Sequence, residues 1–196
     1  MMKVIRVGTA LWLCGIAIQA CAPQPLFPSR VMQGLDPNFD IQAWRASPTA
    51  GLGRKVELGG RIIQAETTAQ GVLIIAEQLP IVQHPAYGPS GLKKRPGAFE
   101  FAFLYPGSLT VGALTQGNRL IVVGTTEKPK PVMLDGAPKS ELFLLAQCVH
   151  IWKTEGREIA DFISGSVGGG YYPLEEETYC AKSDSGNEDR KGNRDR

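Results

Sequence analysis

Histidine and cysteine are scarce in this chain: two His and four Cys in 196 residues. No Cys, His or carboxylate set stands at the spacing a tetrahedral zinc site demands, so a catalytic or structural metal is not expected. Nor does the chain carry a phosphate-binding Gly-Lys loop or a Gly-x-Ser-x-Gly elbow. Gly165 to Gly170 follows no strand and opens no helix, which removes the dinucleotide-binding reading and leaves a Gly-rich linker beside Tyr171-Tyr172-Pro173. A charge surplus is also missing. The formal net charge is +2, and without Lys3 and Arg6 the remainder balances at 19 basic against 19 acidic residues. Such a chain exerts no general pull on nucleic acid. These absences make a non-enzymatic, cofactor-free protein the expectation.

Glycine and proline are abundant. The 23 Gly and 14 Pro are about 19% of the residues against roughly 12% in an average protein, which speaks against a helical bundle and for a turn-rich β domain. The one apolar run of note lies at the start. Met1 to Arg6 carries two positive charges and Val7 to Ala20 is almost wholly apolar, the order of a secretory signal and too short for a bilayer-spanning helix. Ile18-Gln19-Ala20-Cys21 then resembles a bacterial lipobox. The resemblance implies cleavage after residue 20, diacylglyceryl transfer to the Cys21 sulfur, and a triacylated anchor, because two or more acyl chains hold a protein stably on a membrane where one does not. Ala22, not an aspartate, is similar to the signal that sends such lipoproteins to the outer membrane.

Residues 21–52 read as a lipidated tether followed by a short helix. Pro23, Pro25, Pro28 and Gly34 oppose regular structure, while Asp36-Pro37 opens a stretch with Phe39, Ile41 and Trp44 as a partial apolar stripe. From Lys55 the period becomes two. Strands are expected at Lys55 to Ile62, with Gly59-Gly60 marking a bulge or close approach, at Val72 to Gln78, at Ala98 to Leu104, at Arg119 to Glu127 and at Glu141 to Trp152. The last places Leu142, Leu144, Ala146, Cys148, His150 and Trp152 on one face. Phe99, Phe101 and Phe103 read as core and not as a base-stacking platform. The fold class is therefore mainly β: a small five- to six-stranded antiparallel barrel of the OB type over residues 53–152, with a short N-terminal helix. Residues 153–196 read as a Gly-rich and charged flexible tail, disordered from Ser183 onward.

Pro80 to Pro96 reads as a long exposed loop. Its Lys93-Lys94-Arg95 cluster is a solvated tip or a contact for acidic lipid headgroups. His84 lies in that loop, and His150 reads as a satisfied strand histidine without a partner acid. If export removes Cys14 and lipid consumes Cys21, Cys148 and Cys180 remain to form a disulfide in an oxidising compartment, or Cys148 stays a buried free thiol.

Gly53-Arg54-Lys55-Val56-Glu57-Leu58-Gly59-Gly60-Arg61-Ile62-Ile63, the Pro80 loop leading to Gly97-Ala98-Phe99, Arg119-Leu120-Ile121-Val122-Val123-Gly124 and the closing Ile151-Trp152 together resemble the Slp family of outer membrane lipoproteins, the starvation-inducible or stationary-phase type. Gly97-Ala98-Phe99 stands where family members carry Arg-Phe, so no role of that arginine transfers. The resemblance implies an outer membrane address, a periplasm-facing β domain and no assigned catalytic activity. Envelope maintenance, stress adaptation or binding of an envelope partner is the expected role. An OB-like module for glycan or oligosaccharide is the alternative, and exposed aromatic residues on the barrel would favour it.

Overall fold

The computed structural model describes residues 25–81, 88–90, 99–159, 162 and 174–181. Within them two short helices, α1 (Ser29–Met32) and α2 (Ile41–Ala46), precede six strands. These are β1 (Lys55–Thr68), β2 (Gly71–Leu79), β3 (Glu100–Tyr105), β4 (Arg119–Leu134), β5 (Ala137–Trp152) and β6 (Glu176–Cys180). The sheet order is β3-β2-β1-β4-β5-β6, and a further β3–β5 pairing joins β1 to β5 in a ring. Every pairing is antiparallel except β3–β5, which is parallel over Phe101↔Leu142 to Leu104↔Leu145. This is the OB arrangement, in which closure leaves few strand edges open. Among the described residues no helix is long and apolar enough to cross a membrane.

Alternation builds the interior. Val56, Leu58 and Ile62 of β1, Val72 and Ile74 of β2, and Phe101 and Phe103 of β3 meet in one buried cluster with Leu120, Val122, Leu142 and Leu144. Gly59-Gly60 is a close approach with unbroken register to β2. A Cβ on Gly60 would lie 3.1 Å from that of Ala76, and one on Gly59 would lie 2.7 Å from the Leu79 carbonyl oxygen.

Two of the three register shifts correct the expected alternation, the third lying in β4 between Glu127 and Lys130. In β1 the register shifts between Ile62 and Gln64, so Ile63 is the extra residue and turns to an outer cluster while Ala65 packs inward. In β5 Val123↔Cys148 is followed by Gly124↔Ala146, leaving Gln147 unpaired. Leu142, Leu144 and Ala146 therefore point inward, but past Gln147 it is Val149 and Ile151 that do so, and Cys148 and Trp152 face outward. The six even-numbered residues do not share one face. An inserted residue reverses the side-chain phase of everything after it.

Outside the ring lie three additions. The expected tether is packed: α1 sits in it, and Phe27 and Val31 are buried against Ile121, Val123, Cys148 and Trp152 on the outer face of β4–β5. Helix α2 begins later than Asp36, because the Asp40 carboxylate accepts from the amides of Gln42 and Ala43 at 2.8 and 3.2 Å; that satisfies N-terminal donors left over by the helix.

The strands expected to end at Glu127 and start at Glu141 are one continuous hairpin. It turns at Asp135-Gly136, both at positive φ, as the tightest hairpin turns need. Its projecting part, residues 128–140, folds back so that Val132 and Leu134 bury against Ile75 and Ala102 on the outer face of β2–β3.

The third addition is β6, inside the stretch read as a tail. It pairs with β5 from Cys148↔Cys180 to Trp152↔Glu176, and a disulfide joins Cys148 to Cys180. Its Glu-Glu-Thr-Tyr-Cys sequence is short and begins with two acidic residues, so Thr178 and Tyr179 alone give a weak strand signal; the β5 edge and the covalent tie hold it in place. Residues 182–196, which contain the expected disordered tail, lie outside the described residues.

Candidate functional site

Arg119 has no solvent exposure. Its Nη1 donates to the Pro89 carbonyl at 2.7 Å and its Nε to that of Arg157 at 3.1 Å, while Nη2 stands 2.7 Å from the Glu158 carboxylate. One β4 side chain thus ties the middle of the Pro80 to Pro96 loop to the segment after β5. Gly88 and Pro89 are buried and Ile81 bridges Pro89, so the described middle of this loop is packed and not exposed. A burial requirement fixes the arginine, because a charge out of water must be paired and fully hydrogen-bonded.

Beside the disulfide, His150 is 3% exposed. Its Nδ1 shares a hydrogen with Thr178 Oγ1 at 2.6 Å, and its ring meets Trp152 edge-on with centroids 4.2 Å apart. Nε2 lies 3.4 Å from a Glu176 carboxylate oxygen, within ion-pair reach but long for a hydrogen bond. Burial pushes the imidazole below its ordinary value of 6.5, and Glu176 draws it partway back. Glu176 is thus the partner acid that the sequence did not disclose. Because its side chain is 53% exposed, the pair belongs to the rim of the β5–β6 junction. Nearby, Lys153 reaches Glu177 and Glu175 at 2.7 and 2.9 Å, bonds that raise the lysine; the lysine and the Thr110 hydroxyl, both donating to Glu177, lower that carboxyl.

Two recesses flank α2. One of about 350 Å³ is lined by Arg45, Phe99, Glu100 and Glu141. Arg45 lies 5.4 Å over the Phe99 ring and Lys139 is 3.6 Å from Glu100, so the charges there are balanced. Burial, then Glu100, raises the Glu141 carboxyl. The other, about 440 Å³, is lined by Leu35, Phe39, Ile41, Glu57 and Leu79. Burial raises Glu57, and its Oε1 has no hydrogen-bond partner. Among the described residues no three His, Cys, Asp or Glu side chains could hold one metal ion.

Two outer faces of the barrel are covered. On OB barrels the β2–β3 face is the usual ligand platform; here residues 128–140 lie across it. The large exposed apolar side chains among the described residues are Val111, Met133 and Leu145, none aromatic, whereas Phe101, Phe103, Tyr105, Phe143 and Trp152 are buried. The opposite face, β4–β5, is covered by residues 26–35. Cys21 precedes the first described residue, Pro25, by four positions. Cys21 itself, His84 and Lys93-Lys94-Arg95 lie outside the described residues.

The model of the outer membrane lipoprotein Slp family matches residues 18–173. No curated protein and no solved structure matches the chain. The family match takes in Ile18 to Cys21 and the whole five-stranded ring and stops short of β6.

Proposed function

Since the chain belongs to the Slp family of outer membrane lipoproteins, we propose that it is anchored through an acylated Cys21 and faces the periplasm. There it acts as a non-enzymatic module in envelope maintenance or stress adaptation by binding an envelope partner. The observation that carries this reading is the family match over residues 18–173, which takes in Cys21 and the closed barrel. The signal-like start and the Ala20-Cys21 junction agree with it. A barrel whose interior is filled by side chains offers its partner an outer surface. The glycan alternative needs exposed ring faces on the barrel; among the described residues no large aromatic side chain is exposed, and Phe39 and Tyr179 are half-buried.

The test is fractionation with mass spectrometry of the N-terminal peptide. Wild-type protein is expected in the outer membrane fraction with lipid on Cys21, and Cys21→Ser in the soluble periplasmic fraction. A Cys21→Ser protein that stays in the membrane, or an unmodified Cys21, refutes the anchor. Crosslinking in intact cells then identifies the partner; a domain that crosslinks to nothing refutes the binding role.

A further inference from the structure

The short distance along the chain between Cys21 and the first packed residues limits how the domain can stand on a membrane. Leu26 packs against the cluster on the outer face of β4–β5, and Phe27 and Val31 are buried there at 2% and 3% exposure. The segment continues along β1, where Lys55 Nζ donates to the Gln33 carbonyl at 3.0 Å and the Asp36 amide donates to that of Lys55 at 2.9 Å. Thus the attachment point on the barrel is Leu26, not the end of a long tether. Five Cα steps separate Cys21 from Leu26, a span of at most about 18 Å even when fully extended. A domain of this size has a radius of gyration near 14 Å, hence a diameter of roughly 35 Å. The leash reaches about half of that.

We propose that the domain rests against the bilayer on the face covered by residues 26–35, and that the β2–β3 face with its overlying hairpin points away from lipid. This rests on the acylation of Cys21 proposed above. The chemistry of the near face suits a headgroup layer: Ser29, Arg30 and Gln33 are exposed on it, with Leu26 and Met32 half-buried beside them. A cationic side chain there is drawn to the anionic lipids of the surface. On the far side Met133, 53% exposed near the hairpin turn, is held out of reach of lipid and is free to meet a partner protein.

The full lipidated protein is reconstituted in vesicles of phosphatidylethanolamine and phosphatidylglycerol, with a fluorophore on Arg30→Cys in one sample and on Met133→Cys in another. A nitroxide quencher is carried on the lipid headgroups. Several-fold stronger quenching is expected at position 30 than at position 133. A long Gly-Ser spacer inserted between Gln24 and Pro25 is expected to erase most of that difference while leaving the protein bound. Equal quenching in acylated protein, or stronger quenching at 133, overturns the orientation and leaves the anchor standing. Absence of lipid on Cys21 in the same samples overturns both.

Discussion

Arg119 shows how much a single buried cation can organise. Replacing it by methionine keeps the bulk but leaves the Glu158 carboxylate and the Pro89 and Arg157 carbonyls without their donor. Removing one partner of a buried pair costs about 3 kcal/mol or more. Arg119→Met is therefore expected to lower the urea midpoint markedly, with Arg119→Lys intermediate because an ammonium cannot serve three acceptors in one plane. Loss of protection against proteolysis near Pro89 checks that the loop is what comes free.

His150 gives a pH dependence of definite sign. Its folded-state value lies below 6.5, so under acid conditions the unfolded chain binds the proton more readily. Stability attached to this group is present above 6.5 and is lost as pH falls from there toward the folded value. Glu57 and Glu141, raised by burial above 4.5, act in the opposite direction, since protonation favours their folded state. The wild-type slope mixes the three. Melting temperature against pH for wild type and His150→Gln separates them: the variant is expected to lose less stability than the wild type between neutral pH and about 5. Parallel curves would show that His150 does not titrate differently on folding. Neither residue was legible as a site. Arg119 looks like the first residue of a strand, and His150 acquires Glu176 only through the β5–β6 pairing.

At the scale of elements, the strands of the ring were readable because alternation is a property of each strand alone. The bulges were not. An extra residue at Gln147 is indistinguishable in sequence from continued alternation, and its trace is Gly124 opposite, where a Cβ would lie 2.6 Å from the Leu145 carbonyl oxygen. The hairpin was hidden by its own composition. Lys-Pro-Lys-Pro reads as a loop, yet Asp135-Gly136 is the short-range hairpin signal that could have found it. Val132 and Leu134 fasten this hairpin to β2–β3. Leu134→Ala is expected to cost about 2 to 4 kcal/mol if the hairpin is part of the cooperative unit. Hydrogen exchange should then accelerate at Val132 to Leu134 and at Ile75. An unchanged exchange pattern would mean that the β2–β3 face is not held covered by this contact.

For the whole molecule, closure depends on β5 serving two neighbours along one edge. Leu142 to Leu145 pair with β3, and Cys148 to Trp152 pair with β6. The disulfide closes a loop with a sequence separation of 32, worth about 3 to 4 kcal/mol in the chain-entropy model. The variant Cys148→Ala with Cys180→Ala, or the wild type in reductant, is expected to keep its far-ultraviolet β signature and lose that much stability. Unchanged unfolding in reductant would count against the bridge. The family and the strands of the ring were legible because the motifs that carry them are contiguous stretches. The sixth strand was not, since Glu176 to Cys180 becomes a strand only when another edge accepts it.

That edge carries a further consequence for the chain before it is finished. Cys148-Val149-His150-Ile151-Trp152 is an uncharged run of strand formers without proline, the kind of segment that recruits like segments from other chains. It emerges ahead of the residues that will cover it, and in that interval the half-made barrel is open to self-association. Once β6 docks, this strand, the outermost among the described residues, presents Glu176 and Glu177, with Glu175 just before it, beside Lys153. A second molecule approaching edge to edge then meets its own sign of charge. The same five residues that complete the sheet end its growth.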